Sequence, residues 1–174
     1  MTNEATPVVN IQTREGQEQL KKMGVKPIPA PDDLTRPYWD AAKRHELRIQ
    51  RCTACSEYQH PPQATCEQCG GATLEWAAIS GRGVIYTYII DRRMMTPGFD
   101  EPYVVAQINP VEAARTTVRI TANIRGCELE DVYIDMPVEV FFEDVNAEVT
   151  LPQFRPAAEA KLQSRGEVRP GPAM

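Results

Sequence analysis

Cys52-Thr53-Ala54-Cys55, ten intervening residues, then Cys66-Glu67-Gln68-Cys69-Gly70-Gly71 is the stretch that decides how the chain is arranged. Two C-x2-C knuckles this close together supply four thiolates, a donor set that suits a tetrahedral, closed-shell Zn2+ held for structural reasons. The short spacing matters because a tight turn within each knuckle lets both sulfurs reach one ion. Gly70-Gly71 can take the positive φ that closes the second turn. Two disulfides use the same cysteines, but they belong to oxidising compartments. Met1 to Ile11 shows no basic start followed by an apolar core and a small-residue cleavage site, so a cytoplasmic location is expected. Iron in the same four-cysteine site stays open and makes a one-electron carrier instead. A thioredoxin-like pair does not fit, because a second C-x2-C lies beside the first. His60 lies between the knuckles and reads as an ordinary surface histidine or one just outside the metal's ligands.

Outward from the knuckles, Glu46-Leu47-Arg48-Ile49-Gln50-Arg51 alternates apolar and polar residues, a strand leading into the first. Glu57-Tyr58-Gln59-His60 reads as the returning strand, ended by Pro61-Pro62. Short strands pinned by a metal make a ribbon, expected over residues 46–73. After Gly81-Arg82-Gly83 the pattern is plainly β. Val84, Tyr86, Tyr88 and Ile90 are expected on one face, Ile85, Thr87 and Ile89 on the other. Further strands fit Tyr103 to Ile108, Thr116 to Ile124 and Pro137 to Val145, with Cys127 to Met136 as a short helical turn or loop. With Leu74 to Ser80 counted first, about five strands with a helical insert favour a Greek-key barrel of the OB type over residues 74–150. The fold class expected is mainly β.

Before the ribbon, residues 1–45 read as an arm. A short polar helix is expected from Arg14 to Met23, then a proline-alternating segment, Lys26 to Pro31, that favours polyproline II. Asp32 to Trp39 is a helix entry, with Asp33 or Thr35 as cap and Pro37 in the first turn, continuing to about His45. Its stripe of Leu34, Tyr38, Trp39 and Ala42 has either the ribbon or a partner's surface to cover it. Residues 151–174 read as an extended C-terminal tail.

At 174 residues the chain holds one main domain of ordinary size with extensions, and no run approaches the length of a membrane helix. A net charge of −5 argues against charge-driven nucleic-acid binding. An OB-fold nucleic-acid binder remains a second class, because Tyr86 and Tyr88 on one face with Arg82, Arg92, Arg93, Arg119 and Arg125 nearby can stack bases and meet phosphate.

The residues also resemble a known family. Tyr38-Trp39, Glu46 to Cys52, Pro61-Pro62, Leu74-Glu75-Trp76, Ser80 to Tyr88, Pro97-Gly98-Phe99, Pro102 to Ala106, Met136 to Val140 and Leu151 to Pro156 are similar, in order, to the DUF35 family. The resemblance implies a helical arm and a rubredoxin-like zinc ribbon ahead of an OB-fold domain, with zinc on Cys52, Cys55, Cys66 and Cys69. It also implies an accessory subunit for an acyl-CoA enzyme of the thiolase superfamily, such as a degradative 3-oxoacyl-CoA thiolase (benzoylsuccinyl-CoA thiolase among them) or an aldolase. Partners of the MaoC hydratase type are the alternative. A CoA thioester then reaches the chain through its partner, and Arg82, Arg92 and Arg93 are candidates for its phosphates.

The chain's own residues offer little chemistry. Thiolase-type catalysis needs a stabilised thiolate with a histidine base. Cys127, the cysteine outside the knuckles, is followed by Glu128, Glu130 and Asp131, which raise a thiol pKa. The active site is therefore expected on the partner, with no catalytic residues here.

Overall fold

The computed structural model describes residues 14–16, 28–93, 101–114 and 116–160. Of the polar helix expected from Arg14 to Met23, residues 14–16 are helical and the rest lies outside the described residues. The helix α1 (Arg36–Lys43) is entered through Asp32, whose Oδ1 accepts both the Thr35 N–H (2.7 Å) and the Thr35 hydroxyl (2.6 Å). Thr35, one of the two residues expected as cap, holds the N-cap position but makes no side-chain capping bond; Asp32 fixes it there. The helix stops two residues short of His45, which takes a left-handed φ of 57° while its N–H closes on the Ala42 carbonyl.

Strands β1 (Arg48–Cys52), β2 (Tyr58–Gln59) and β3 (Leu74–Ala78) form a three-stranded sheet in the order β2-β1-β3. Strands β4 (Arg82–Asp91), β5 (Tyr103–Pro110), β6 (Ile120–Ile124), β7 (Pro137–Asp144) and β8 (Thr150–Pro156) close a barrel in the order β4-β5-β6-β8-β7. The closing contact between β6 and β8 is parallel, at Ile124 and Phe154, while every other barrel pair is antiparallel. That five-stranded Greek-key closure is the OB fold.

Five barrel strands is the expected number, but their membership differs. Leu74 to Ala78, expected as the first barrel strand, instead pairs along its whole length with β1 and belongs to the ribbon. The fifth member comes from the stretch expected as a tail, where β8 pairs with β7 from Thr150 to Pro156. Two prolines hide this strand, since each removes a ladder donor. Phe154 shows why they are tolerated: its carbonyl points to the β6 side, where it accepts the Arg125 N–H at 2.8 Å. Pro152 and Pro156 share its parity, so their missing donors also face the side where β6 supplies a single partner residue. Residues 161–174 lie outside the described residues.

A second departure sits in β4. The β4–β5 register slips between Ile85 and Thr87, so Tyr86 forms a bulge. A bulge inserts one residue and reverses the facing of the residues after it. Ile85 is fully buried and Tyr88 and Ile90 pack on the core, whereas Tyr86 and Ile89 are exposed, 51% and 64% respectively. The faces expected from strict alternation are thus reshuffled, and Tyr86 and Tyr88 lie on opposite sides of the wall.

A continuous apolar cluster joins the parts. Tyr38 of α1, Leu47 and Ile49 of the ribbon and Ile79 of the connector join Ile85, Ile108, Ile120, Met136, Val138 and Phe154 of the barrel. The helix α1 lies against both β1 and β8 and buries Tyr38, Ala41 and Ala42, so the stripe's destination is this chain. Leu34 stays 39% exposed and does not join the buried set. Beyond the helix, the His45 ring stacks on Phe142 (5.2 Å, 2°), and its Nε2 lies 3.0 Å from Asp144 Oδ1. The Asp144 carboxyl is held below its usual range by the Thr150 hydroxyl first and by His45 second.

Candidate metal centre

The two knuckles fold around one point. The turn Thr53–Cys55 is closed by Ser56 N–H on the Cys52 carbonyl (2.9 Å), and the second turn by Gly70 N–H on the Cys66 carbonyl (2.8 Å). Gly70 has φ +73°, and a Cβ on Gly71 would sit 3.3 Å from Cys69 Sγ and 3.7 Å from Cys52 Sγ. The Gly70-Gly71 pair therefore supplies both the left-handed turn and the close approach.

Between knuckles, Cys52 Sγ and Cys69 Sγ are 3.7 Å apart and Cys55 Sγ and Cys66 Sγ 3.6 Å; all four sulfurs lie within 4.8 Å of one another. Zn–S bonds of about 2.3 Å in a tetrahedron place sulfurs about 3.8 Å apart. The donor set and its spacing fit such an ion. The separations are far beyond a disulfide bond, and all four thiols are free. Cys52 and Cys66 are buried, Cys55 is half-buried and Cys69 faces solvent.

Backbone N–H groups are aimed at the sulfurs. The Cys55 N–H lowers the Cys52 thiol to about 7 against the opposing effect of burial, with help from the Ala54 N–H. The Cys69 sulfur accepts from Gly71 N–H and Cys55 from Glu57 N–H, yet both thiols end above the ordinary value because neighbouring thiols and burial outweigh that contact. Crowding thus makes Cys55 and Cys69 resist losing their protons; a cation at the centre of the four sulfurs would remove that resistance. A filled four-sulfur shell leaves no open position for water or a carbonyl, so the metal's chemistry here is structural.

His60, expected at the surface or just outside the metal's ligands, is half-buried. Its ring lies 5.5 Å from the Tyr38 ring, and its Nδ1 is enclosed without a hydrogen-bond partner among the described residues. Burial lowers its pKa to about 4. Since an unfolded histidine titrates near 6.5, the unfolded chain takes up this proton first as pH falls. His60 therefore leaves stability intact above about pH 6.5 and removes it progressively down to about pH 4. Between pH 7 and 5.5 the native protein should lose about 1 kcal/mol more than His60→Phe, as urea midpoints at the two pH values will show. Equal losses would mean the ring is not held neutral.

The arginines do not converge. Arg82 opens β4 and pairs with Glu159; Arg92 lies past the other end of that ten-residue strand and pairs with Glu130 at 3.0 Å. At roughly 3.3 Å per residue these ends stand about 30 Å apart along the strand, too far for one phosphate group. Arg93 donates its backbone N–H to Asp91. Arg119 covers the exposed Tyr86 ring at 4.2 Å and donates to the Thr116 and Val118 carbonyls, and Arg125 lies 3.7 Å from Glu143. With Tyr88 turned inward, the paired-tyrosine stacking face is absent from this wall. Cys127 packs on the core, and its thiol is raised by burial first, then by Asp131 and Glu128.

The residues that sequence reading missed are Gln50 and Gln59, both buried and hydrogen-bonded to the loop that carries the second knuckle. Their polar character in alternating strands points to solvent, and nothing local signals otherwise.

A four-cysteine ribbon pinned to an OB barrel by an aromatic helix defines a class of two-part zinc-ribbon and OB-fold proteins. Known families match each part in order: the ChsH2 rubredoxin-like zinc ribbon domain over residues 39–75 and the ChsH2 C-terminal OB-fold domain over residues 76–143. A DUF35 domain-containing scaffold protein of Methanocaldococcus jannaschii is 33% identical over 71% of this chain and 86% of its own length. A probable enoyl-CoA hydratase alpha subunit of Thermomonospora curvata is 35% identical over 81% of this chain. The chain spans only 43% of that relative. The solved Ltp2-ChsH2(DUF35) aldolase contains a chain 35% identical to this one, with a TM-score of 0.67 over 74% of this chain and 98% of that one. The chain belongs to the DUF35 family, with the ChsH2 arrangement of zinc ribbon and OB fold. No helix among the described residues is long and apolar enough to cross a membrane.

Proposed function

We propose that the chain is a non-catalytic, zinc-containing accessory subunit of a heteromeric acyl-CoA enzyme, and that its partner is a thiolase-superfamily catalytic chain of the aldolase or degradative thiolase kind. The observation that carries this reading is the likeness to the DUF35 chain of the Ltp2-ChsH2(DUF35) aldolase, nearly all of which this chain covers. A structural metal shell and a thiol at Cys127 raised by burial and acidic neighbours support placing the chemistry on the partner. The hydratase reading is second. Its support is the Thermomonospora relative, but this chain covers less than half of that protein.

A CoA thioester reaches the complex through the catalytic chain. Arg92 and Arg93, adjacent beyond the end of β4, are the cations proposed for its phosphates, with Arg92 exchanging its Glu130 partner for phosphate; Arg82, paired with Glu159, stands at the opposite end. The test is reconstitution with a thiolase-superfamily catalytic chain from the same organism. The two should co-elute as one heteromer with acyl-CoA turnover that this chain alone lacks. Separate elution, with the catalytic chain fully active alone, would overturn the reading.

A further inference from the structure

The second knuckle hangs on a stretch, residues 60–73, without a strand of its own. A loop of that length beside a small sheet has backbone donors and acceptors to satisfy and no ladder to do it. Two side chains fill that role. Gln50 Oε1 accepts the Gln63 N–H at 2.8 Å, and Gln50 Nε2 donates to the Gln63 carbonyl at 3.1 Å, a two-bond pairing with one residue's peptide groups. Gln59 does the same around a metal ligand: its Nε2 donates to the Thr65 carbonyl (3.3 Å), and its Oε1 accepts the Glu67 N–H (3.1 Å). Those two peptide groups flank Cys66. A 2.8 Å bond from Gln59 Nε2 to Gln50 Oε1 locks the pair together, and both residues are 5% exposed.

From this geometry we infer that Gln50 and Gln59 are positioning residues for the metal site, their carboxamides standing in for a missing strand and holding Cys66 at its place in the four-sulfur shell. The cross-strand partners Gln50 and Gln59 face each other in the β1–β2 register, which is what lets one carboxamide brace the other. Groups just outside a metal's ligands fix ligand orientation, and removing them typically weakens metal binding by about 10 to 100-fold. Leucine at position 59 keeps the bulk and strands the Thr65 and Glu67 peptide groups without partners.

The experiment follows zinc transfer from the full-length, zinc-loaded chain to a chromophoric chelator. Gln59→Leu should release zinc at least about tenfold faster than the native chain, and Gln50→Leu, which leaves both bonds around Cys66 in place, by a smaller factor. Gln153→Leu is the control: it removes an equally buried glutamine, bonded to Glu143 on the barrel, and should release zinc at the native rate. Native release from Gln59→Leu, or the same acceleration from Gln153→Leu, overturns the proposal. Should Gln59→Leu not yield folded protein, Gln50→Leu decides alone, and an unchanged rate sinks the idea.

Discussion

Replacing Cys66 by Ser should abolish zinc binding and unfold the ribbon while the barrel strands persist. Three thiols remain, but the buried sulfur that faces Cys55 at 3.6 Å is gone, and with it the closed shell. Leu47 and Ile49 anchor one end of the ribbon in the shared apolar cluster, but around the knuckles β2 is two residues long and the second knuckle has no ladder, so the metal takes the place of a core there. Structural zinc contributes on the order of 10 kcal/mol in small metal-dependent domains, far more than any other contact on this side of the molecule. The barrel has its own apolar interior, built on Ile85, Ile108, Ile120, Val138 and Phe154. Hydrogen exchange should therefore show the amides of β1 and β3 unprotected in Cys66→Ser and those of β5 and β7 still protected. Intact protection in the ribbon without metal would show that the sheet stands by itself.

The second large effect belongs to Gly81, the hinge between ribbon and barrel. It has φ +74°, its carbonyl accepts the Val140 N–H at 2.8 Å, and a Cβ there would overlap Val140 Cγ1 and lie 3.0 Å from Val140 Cβ. Alanine meets two penalties: a left-handed backbone that costs an L-residue about 1–2 kcal/mol, and overpacking against a β-branched neighbour at about 1–3 kcal/mol. Gly81→Ala should lose on the order of 3 kcal/mol in urea unfolding, without losing zinc. A loss under about 1 kcal/mol would mean that the turn relaxes easily.

The two knuckles are legible because metal ligation demands particular atoms at particular spacing. A C-x2-C pair admits few structures, and the four sulfurs meet where that spacing places them. The barrel's strand count is legible too, since period-2 patterning reports one buried face. What the sequence conceals depends on partners far away in the chain. Thr150 to Pro156 carries two prolines, and only the sparse β6 side of β8 makes them harmless. Leu74 to Ala78 is a strand in either role; its partner is β1, on the far side of both knuckles, where Leu74 sits opposite Cys52. The bulge at Tyr86 has no proline or glycine to announce it, and it undoes the alternation from that point. Gln50 and Gln59 look like solvent-facing residues until the knuckle loop folds over them.

His45 and His60 make the same point about isolated polar residues. Local sequence suggests an exposed helix end for His45, and for His60 either the surface or a place just outside the metal's ligands. His45 is exposed but engaged, stacked on Phe142 and bonded to Asp144 across the helix–barrel junction. His60 is enclosed beside Tyr38. Both tie the arm to the rest of the fold, a role that only the tertiary arrangement reveals.

In the proposed function the metal serves assembly: it shapes the ribbon, and the ribbon with its helix and barrel holds a catalytic partner. Light-scattering mass measurement during size exclusion tests it most directly, on the catalytic chain mixed with the zinc-loaded and with the chelator-stripped form of this protein. A single heteromer is expected with the loaded form and separate species with the stripped form. A heteromer of the same mass from the metal-free chain would contradict it.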